Sequence, residues 1–227
     1  MKKHLLALTL TAIVCGQFAN ANPAPASAAS QATASAASAS APTAAPAAQQ
    51  GAPAAPDILA TAYLVEDLQS KQILTGKDLD KPIEPASFTK LMTAYLAFKA
   101  LESGQLKPEQ TLTPSETAWR AEGSRMFLTL GKPVAVSDLL KGLIVQSGND
   151  AAITLAEAMG NGSEATFAEQ MNAEAKRLGM NNTRFLNATG LPAEGHLTTV
   201  RDLAILSSAL IRDFPQYYPI YAMKSFK

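Results

Sequence analysis

The stretch IEPASFTKLMTAYLAFKAL, residues 83–101, is the part of the sequence that most strongly predicts the fold. Large apolar side chains recur in it at helical spacing, and Pro85 and Gly104 stand where a helix would begin and end. The pattern predicts a mostly buried helix over residues 86–103. Ser87 and Lys90 are three residues apart at its start, so their side chains lie on one face and can touch.

Burial of this helix has a chemical consequence for Lys90. A lysine one turn inside a buried helix loses hydration, which lowers the pKa of its amine towards a value at which the neutral form can take a proton. Ser87 would then have a base within reach and could act as a nucleophile. From the spacing alone, an ordinary helix start with a solvated lysine is the favoured alternative.

The first 56 residues differ in composition from the rest of the chain. Residues 1–21, MKKHLLALTLTAIVCGQFANA, have two lysines, an apolar run and a small-x-small end, which predicts a secretory signal peptide, with an uncleaved anchor as the alternative. Residues 22–56 contain no charged, aromatic or branched aliphatic residue, which predicts a disordered linker rich in Ala, Pro and Ser. Residues 57–227 have the composition of one globular domain.

Cysteine, histidine and charge exclude several classes of function. Cys15 lies in the predicted signal peptide, so the mature chain has no disulfide and no thiol chemistry. The only histidines are His4 and His196, which excludes a metal site built on histidines, and we expect His196 on a surface loop. Without the leader, 17 Lys and Arg face 19 Asp and Glu, a formal charge of −2, so no nucleic-acid partner is expected.

The periodicity of residues 57–227 predicts a mixed α and β class. Two short strands, 61–65 and 72–74, are joined by a tight turn. Helical patterns follow the first helix at 137–146, 149–160, 163–178 and 199–212. Ser137 and Thr199 are the predicted N-caps.

A second polar cluster stands in LIVQSGNDAA, residues 143–152. Ser147-Gly148-Asn149 forms a predicted turn between two helices, with Asn149 or Asp150 opening the second one. The Ser147 hydroxyl can donate and accept a proton, and the Asn149 amide can hold a carbonyl while it positions an amine. By itself, a simple loop with a helix cap is the favoured interpretation of the tripeptide.

Four segments together carry a family resemblance: PASFTKLMTAY, LIVQSGNDAA, LGMNNTRFLNATGL and TTVRDLA, in this order and at these spacings. From about Ile58 onwards the chain resembles the penicillin-binding D-alanyl-D-alanine carboxypeptidases of low molecular mass. Ser-x-x-Lys and Ser-x-Asn are two of the three active-site motifs of the penicillin-recognising serine enzymes. The resemblance implies a β-lactamase/transpeptidase-like α+β fold, an antiparallel sheet flanked by helices.

The resemblance also implies roles for four residues. Ser87 would attack the carbonyl between two D-alanines of a peptidoglycan stem peptide and form an acyl-enzyme. Lys90 would be the general base and Ser147 the proton relay to the departing amine. Asn149 would orient the substrate amide and Lys90. No cofactor and no metal is implied, and β-lactam antibiotics are the expected acylating inhibitors.

The family's third motif, Lys-Thr-Gly, is not found in the 227 residues. We therefore expect the chain to be the N-terminal part of a carboxypeptidase domain, incomplete at its C-terminus and inactive alone. The alternatives are a serine β-lactamase and a non-catalytic fragment that binds peptidoglycan or penicillin. The expected location is the periplasm, with attachment to the outer face of the cytoplasmic membrane left open through a C-terminal anchor absent from this chain.

Overall fold

The computed structural model describes residues 58–226, and within this range the chain forms four short strands and six α-helices. The strands are β1 (Tyr63–Glu66), β2 (Ile73–Lys77), β3 (Thr111–Leu112) and β4 (Val134–Ala135). The helices are α1 (Thr89–Glu102), α2 (Glu116–Trp119), α3 (Val136–Val145), α4 (Asn149–Met159), α5 (Glu164–Leu178) and α6 (Val200–Asp213). The predicted signal peptide, 1–21, and linker, 22–56, lie outside the described residues. No helix between residues 58 and 226 has the length and apolarity needed to cross a bilayer.

Helix α1 lies at the centre of the fold, where α3, α4, α5 and α6 all pack against it. Its side chains Met92, Tyr95 and Phe98 are at most 1% exposed. Burying a side chain of this size stabilises a fold by about 1.5–3 kcal/mol, so α1 is a main source of stability. The prediction of a mostly buried helix is confirmed, and Gly104, at φ +74°, follows its end as expected.

The segment after α6 closes the core over one end of α1. The Tyr217 ring stacks on Phe98, with centroids 4.6 Å apart and planes 10° from parallel. Phe214 meets Tyr95 edge to face at 5.0 Å. These aromatic contacts hold residues 214–222 against the helix that begins beside Ser87.

The strands form two antiparallel pairs, which agrees with the predicted class of sheet and flanking helices. Strands β1 and β2 pair with Leu64 opposite Gly76, and a bulge interrupts the ladder between Val65 and Glu66. The prediction of a tight turn between them is wrong. Six residues, 67–72, make the connection, because the Asp67 carboxylate accepts hydrogen bonds from the amide and hydroxyl of Ser70 and stabilises a wider loop.

One predicted helix cap is confirmed and the other is wrong. Thr199 caps α6, since its hydroxyl accepts a hydrogen bond from the Asp202 amide at 3.1 Å. Ser137 lies inside α3, whose N-cap is Ala135. Strand β4 runs directly into α3 there, and the Ser137 amide donates to the Pro108 carbonyl. A neighbouring loop thus supplies an acceptor that a capping side chain would otherwise provide.

Candidate active site

Ser87 lies on a one-turn 3-10 helix, Ala86–Phe88, that leads into α1. Its side chain is exposed, whereas Thr89 and Lys90, on the next turn, are buried. Ala86 adopts φ +46°, a left-handed conformation that is uncommon for residues other than glycine. A Cβ atom on Gly190 would collide with the Ala86 carbonyl, so only glycine allows the close approach of these two chain segments.

Lys90 is 6% exposed and its amine is held between two oxygens. Nζ donates to the Thr189 carbonyl at 2.6 Å and to Ser87 Oγ at 3.3 Å. Burial lowers the pKa of Lys90 to about 8, because desolvation disfavours the ammonium form. With this pKa about a tenth of Lys90 is neutral at pH 7, so some of the lysine can accept a proton, as a lysine base requires.

Ser147 supplies a second hydroxyl next to Ser87. It follows the C-terminal end of α3, and its Oγ donates to Ser87 Oγ at 3.1 Å. Its φ of +55° is a left-handed conformation for a residue with a side chain. Strained backbone of this kind clusters at functional sites, where the surrounding structure holds it in place.

Asn149 opens α4 and is 4% exposed. Its amide Nδ2 donates to the Glu122 carbonyl at 2.6 Å, and its backbone N–H donates to the Ser124 carbonyl at 2.7 Å. Among residues 58–226 no hydrogen bond joins Asn149 to Lys90. The structure thus brings Ser87, Lys90 and Ser147 together, while Asn149 attaches the neighbouring loop, residues 122–128, to the start of α4.

Asp150 reinforces this attachment. Its buried carboxylate accepts hydrogen bonds from the amides of Met126 and Leu128, each at 3.0 Å. Two amides directed at one carboxylate force the intervening Phe127 to project outward, with 76% of its surface exposed and φ at +61°. A carboxylate next to Ser-Gly-Asn was visible in the sequence, but its backbone partners, more than 20 residues away, were not.

The polar atoms of Ser87, Lys90 and Ser147 open onto a small cleft whose other walls are apolar apart from the hydroxyl of Tyr221. The residues that line it besides these three are Leu91, Leu143, Ile144 and Tyr221. An apolar wall excludes water and strengthens electrostatic effects at the reacting atoms. The cleft is therefore suited to acyl transfer, with a serine hydroxyl as the nucleophile and a lysine amine as the base.

The prediction that His196 lies on a surface loop is wrong. It is 2% exposed, with Nε2 at 2.9 Å from the Thr89 hydroxyl. Gly195, at φ +84°, turns the chain inward, and the Arg184–Leu197 backbone bridge holds the turn against the core. Between residues 58 and 226 no hydrogen bond joins His196 to a serine, and no three side chains of His, Cys, Asp or Glu are grouped to hold a metal.

Comparisons with known proteins show which family this chain is similar to. Residues 49–227 match the peptidase S11 family, described as D-alanyl-D-alanine carboxypeptidase. D-alanyl-D-alanine carboxypeptidase DacC of Escherichia coli is 41% identical over 178 residues, which are 76% of this chain and 44% of DacC. DacA of Haemophilus influenzae is 40% identical over 174 residues, again 44% of its length. The chain thus spans less than half of these curated relatives.

Solved structures show the same likeness in three dimensions. Penicillin binding protein 5 from Haemophilus influenzae superposes with a TM-score of 0.74 at 39% identity, covering 76% of this chain and 51% of that one. Penicillin-binding protein D2 from Listeria monocytogenes, solved in an ampicillin-bound form, superposes with a TM-score of 0.66 at 32% identity. That match covers 74% of this chain and 69% of that one.

Proposed function

The chain belongs to the D-alanyl-D-alanine carboxypeptidase family of serine peptidases, and on that premise we propose that the protein removes the terminal D-alanine from peptidoglycan stem peptides. The observation that carries the proposal is the position of Ser87 Oγ, 3.3 Å from Lys90 Nζ and 3.1 Å from Ser147 Oγ. A nucleophile between a buried amine and a second hydroxyl has a base for its proton and a path for that proton to the leaving group.

The proposed reaction has two steps. Ser87 Oγ attacks the carbonyl carbon between the two D-alanines while Lys90 Nζ takes the hydroxyl proton. The C–N bond breaks as the Ser147 hydroxyl gives its proton to the departing amine and receives in turn the proton held by Lys90, and D-alanine leaves an ester on Ser87. A water molecule then attacks that ester while neutral Lys90 takes its proton, and Lys90 returns this proton to Ser87 Oγ as the shortened peptide is released.

Asn149 is proposed to bind the substrate amide next to the scissile bond. The Glu122 carbonyl occupies only one of its two Nδ2 hydrogens, so a second donor is free for a substrate carbonyl. Its backbone is fixed on the Ser124 carbonyl, which limits the entropy lost on binding. An orienting effect of Asn149 on Lys90, expected from the resemblance, would have to arise when substrate is bound.

β-Lactams are the second class of proposed ligand. Structures of the Listeria relative contain ampicillin or cefotaxime, which supports binding of this antibiotic class in the family. In this protein, Ser87 would open the lactam ring and retain it as an ester. A serine β-lactamase is not favoured, because the relatives matched are carboxypeptidases and penicillin-binding proteins.

Export and domain organisation complete the proposal. Residues 1–21 would be removed as a signal peptide, residues 22–56 would tether the domain, and residues 57–227 would form the N-terminal part of a carboxypeptidase domain in the periplasm. The 227 residues lack the Lys-Thr-Gly motif that would bind the substrate carboxylate, so we propose that they do not turn over substrate alone. An uncleaved leader, or an anchor that follows Lys227, would attach the domain to the outer face of the cytoplasmic membrane.

The test is covalent labelling of the protein expressed from its own gene, with any sequence that the gene encodes after Lys227. Fluorescent penicillin followed by peptide mapping should place the label on Ser87, and a stem-peptide mimic should release D-alanine. Ser87→Ala is the matched control and should abolish both signals. Label on Ser147, or no label at all, would contradict the assignment, and rapid turnover of the antibiotic would favour a β-lactamase.

A further inference from the structure

We propose that His196 is a positioning residue for the Ser87–Lys90 pair, which it serves by joining the start of α1 to the segment that holds the Lys90 amine. The proposal rests on the proposed function, because it concerns the same serine and lysine. The His196 side chain is buried and makes two hydrogen bonds, yet it takes no part in the proposed reaction.

The two ring nitrogens of His196 contact different parts of the chain. Nδ1 accepts a hydrogen bond from the Leu186 amide at 3.3 Å, and an amide N–H can only donate. In a neutral imidazole the proton is then on Nε2, which donates to Thr89 Oγ1 at 2.9 Å. The ring also meets Phe185 edge to face at 5.9 Å, which fixes its plane.

Thr89 and Leu186 lie in the two chain segments that position the Lys90 amine. Thr89 precedes Lys90 on α1, and both are buried. Leu186 is three residues before Thr189, whose carbonyl accepts the Lys90 hydrogen bond at 2.6 Å. His196 therefore fixes the distance between Lys90 and the Thr189 carbonyl that accepts its hydrogen bond.

The same interface contains two further contacts, and neither duplicates the role of His196. Thr93 Oγ1 donates to the Ala188 carbonyl at 2.8 Å, one turn deeper along α1. Gly190 lies directly against the Ala86 carbonyl on the other side of Ser87. Asn187 Oδ1 accepts hydrogen bonds from the Thr189 and Gly190 amides and keeps this turn in shape. Without His196 the turn would lose one of its links to α1, so the Thr189 carbonyl and the Lys90 amine that it holds would shift relative to Ser87 Oγ.

A displaced base should slow acylation more than it weakens binding. Misplacement of a reacting group by about 1 Å can cost about 100-fold in rate. We expect His196→Leu to lower the acylation rate constant at saturating penicillin by about 10- to 100-fold, with little change in the penicillin concentration that gives half of the maximal rate. If His196 had a purely structural role, its substitution would instead lower the fraction of folded protein. The acylation rate constant of that fraction would be unchanged.

Three further variants make the test specific. His196→Gln retains a donor and an acceptor on one side chain and should recover most of the lost rate. Thr89→Val removes the same hydrogen bond from its other end, so the double variant with His196→Leu should be no slower than the slower single variant. Thr183→Val is the matched control, because the hydrogen bonds of the Thr183 hydroxyl go to Asp202 and Thr198 in the same region and not to α1.

The measurements are stopped-flow acylation by a fluorescent penicillin and thermal unfolding of each variant. Thr183→Val should unfold at a lower temperature with an unchanged acylation rate constant. Independent losses from His196→Leu and Thr89→Val that multiply in the double variant would overturn the proposal, as would an unchanged rate in His196→Leu or an equal loss in Thr183→Val. A wild-type protein that is not acylated at all would refute the proposed function itself, which keeps the two failures distinguishable.

Discussion

Replacing Lys90 with methionine should abolish acylation and at the same time change stability in a manner that depends on pH. Lys90 is 6% exposed, and burial lowers the pKa of its amine from 10.5 to about 8. At about 1.4 kcal/mol for each pKa unit, the folded state is penalised by about 3 kcal/mol for carrying the ammonium form at neutral pH. Methionine has a similar length and no charge, so it removes this penalty.

The sign follows from proton binding in the two states. Below about pH 8 both the folded and the unfolded chain hold the proton, and the penalty is fully present. Between about pH 8 and 10.5 the unfolded chain binds a proton that the folded chain has released, so the free energy of unfolding of the wild type rises with pH. Above about 10.5 the penalty has disappeared.

A second effect acts in the opposite direction and does not depend on pH. The Thr189 carbonyl loses the donor that lies 2.6 Å away, which costs about 1–3 kcal/mol for a buried polar group. At pH 7, Lys90→Met should therefore be as stable as the wild type or up to about 2 kcal/mol more stable. At pH 10 its stability relative to the wild type should be about 2 kcal/mol lower than at pH 7.

Urea unfolding followed by circular dichroism at pH 7 and pH 10 measures both values. Lys132→Met, the same substitution at an exposed lysine, is the control for the effect of pH on the rest of the chain. A difference between Lys90→Met and the wild type that does not change with pH would refute the reasoning. It would mean that the ammonium group of Lys90 is not desolvated, and the argument for a lysine base would lose its physical cause.

Four other predictions concern the same interface and one helix end. The acylation rate of the wild type should rise about tenfold per pH unit below a midpoint near 8 and then level off, because only neutral Lys90 accepts the proton; a flat profile would contradict this. Lys90→Arg keeps the charge and should lower acylation about 10²- to 10⁴-fold, so labelling by penicillin at a rate near that of the wild type would exclude the base role. Gly190→Ala places a Cβ against the Ala86 carbonyl and should lower both the unfolding temperature and the acylation rate, whereas Gly131→Ala, at a similar positive φ with open space, should affect the unfolding temperature alone. Thr199→Ala should destabilise the protein by about 1 kcal/mol in urea unfolding through loss of the α6 cap, while Thr199→Ser should lose little; equal losses would show that the hydroxyl is not the cause.

Local patterns in the sequence predicted most of the helices and the contact between the Ser87 and Lys90 side chains. The spacing of apolar residues in 83–101 is a property of neighbours along the chain, so the buried helix and the contact between Ser87 and Lys90 followed from it. The Thr199 cap followed in the same way, because its acceptor and donor are three residues apart. Ser137 failed as a cap because the acceptor for its amide, the Pro108 carbonyl, lies in a different element.

What only the tertiary structure decided is the environment of those groups. By itself the sequence determined the helix periodicity, the order of the polar motifs and the family resemblance, since each depends on residues close in the chain or on their spacing. It did not determine that the Thr189 carbonyl would hold the Lys90 amine across 99 positions, or that Ser147 would reach Ser87 across 60. From the sequence we expected His196 on the surface, because a polar residue after a glycine is typical of a loop. In the structure it is buried, because Thr89, 107 positions away, supplies a hydrogen-bond partner. Hydrogen bonds and desolvation depend on distance in space, and that distance is set when the segments pack around α1.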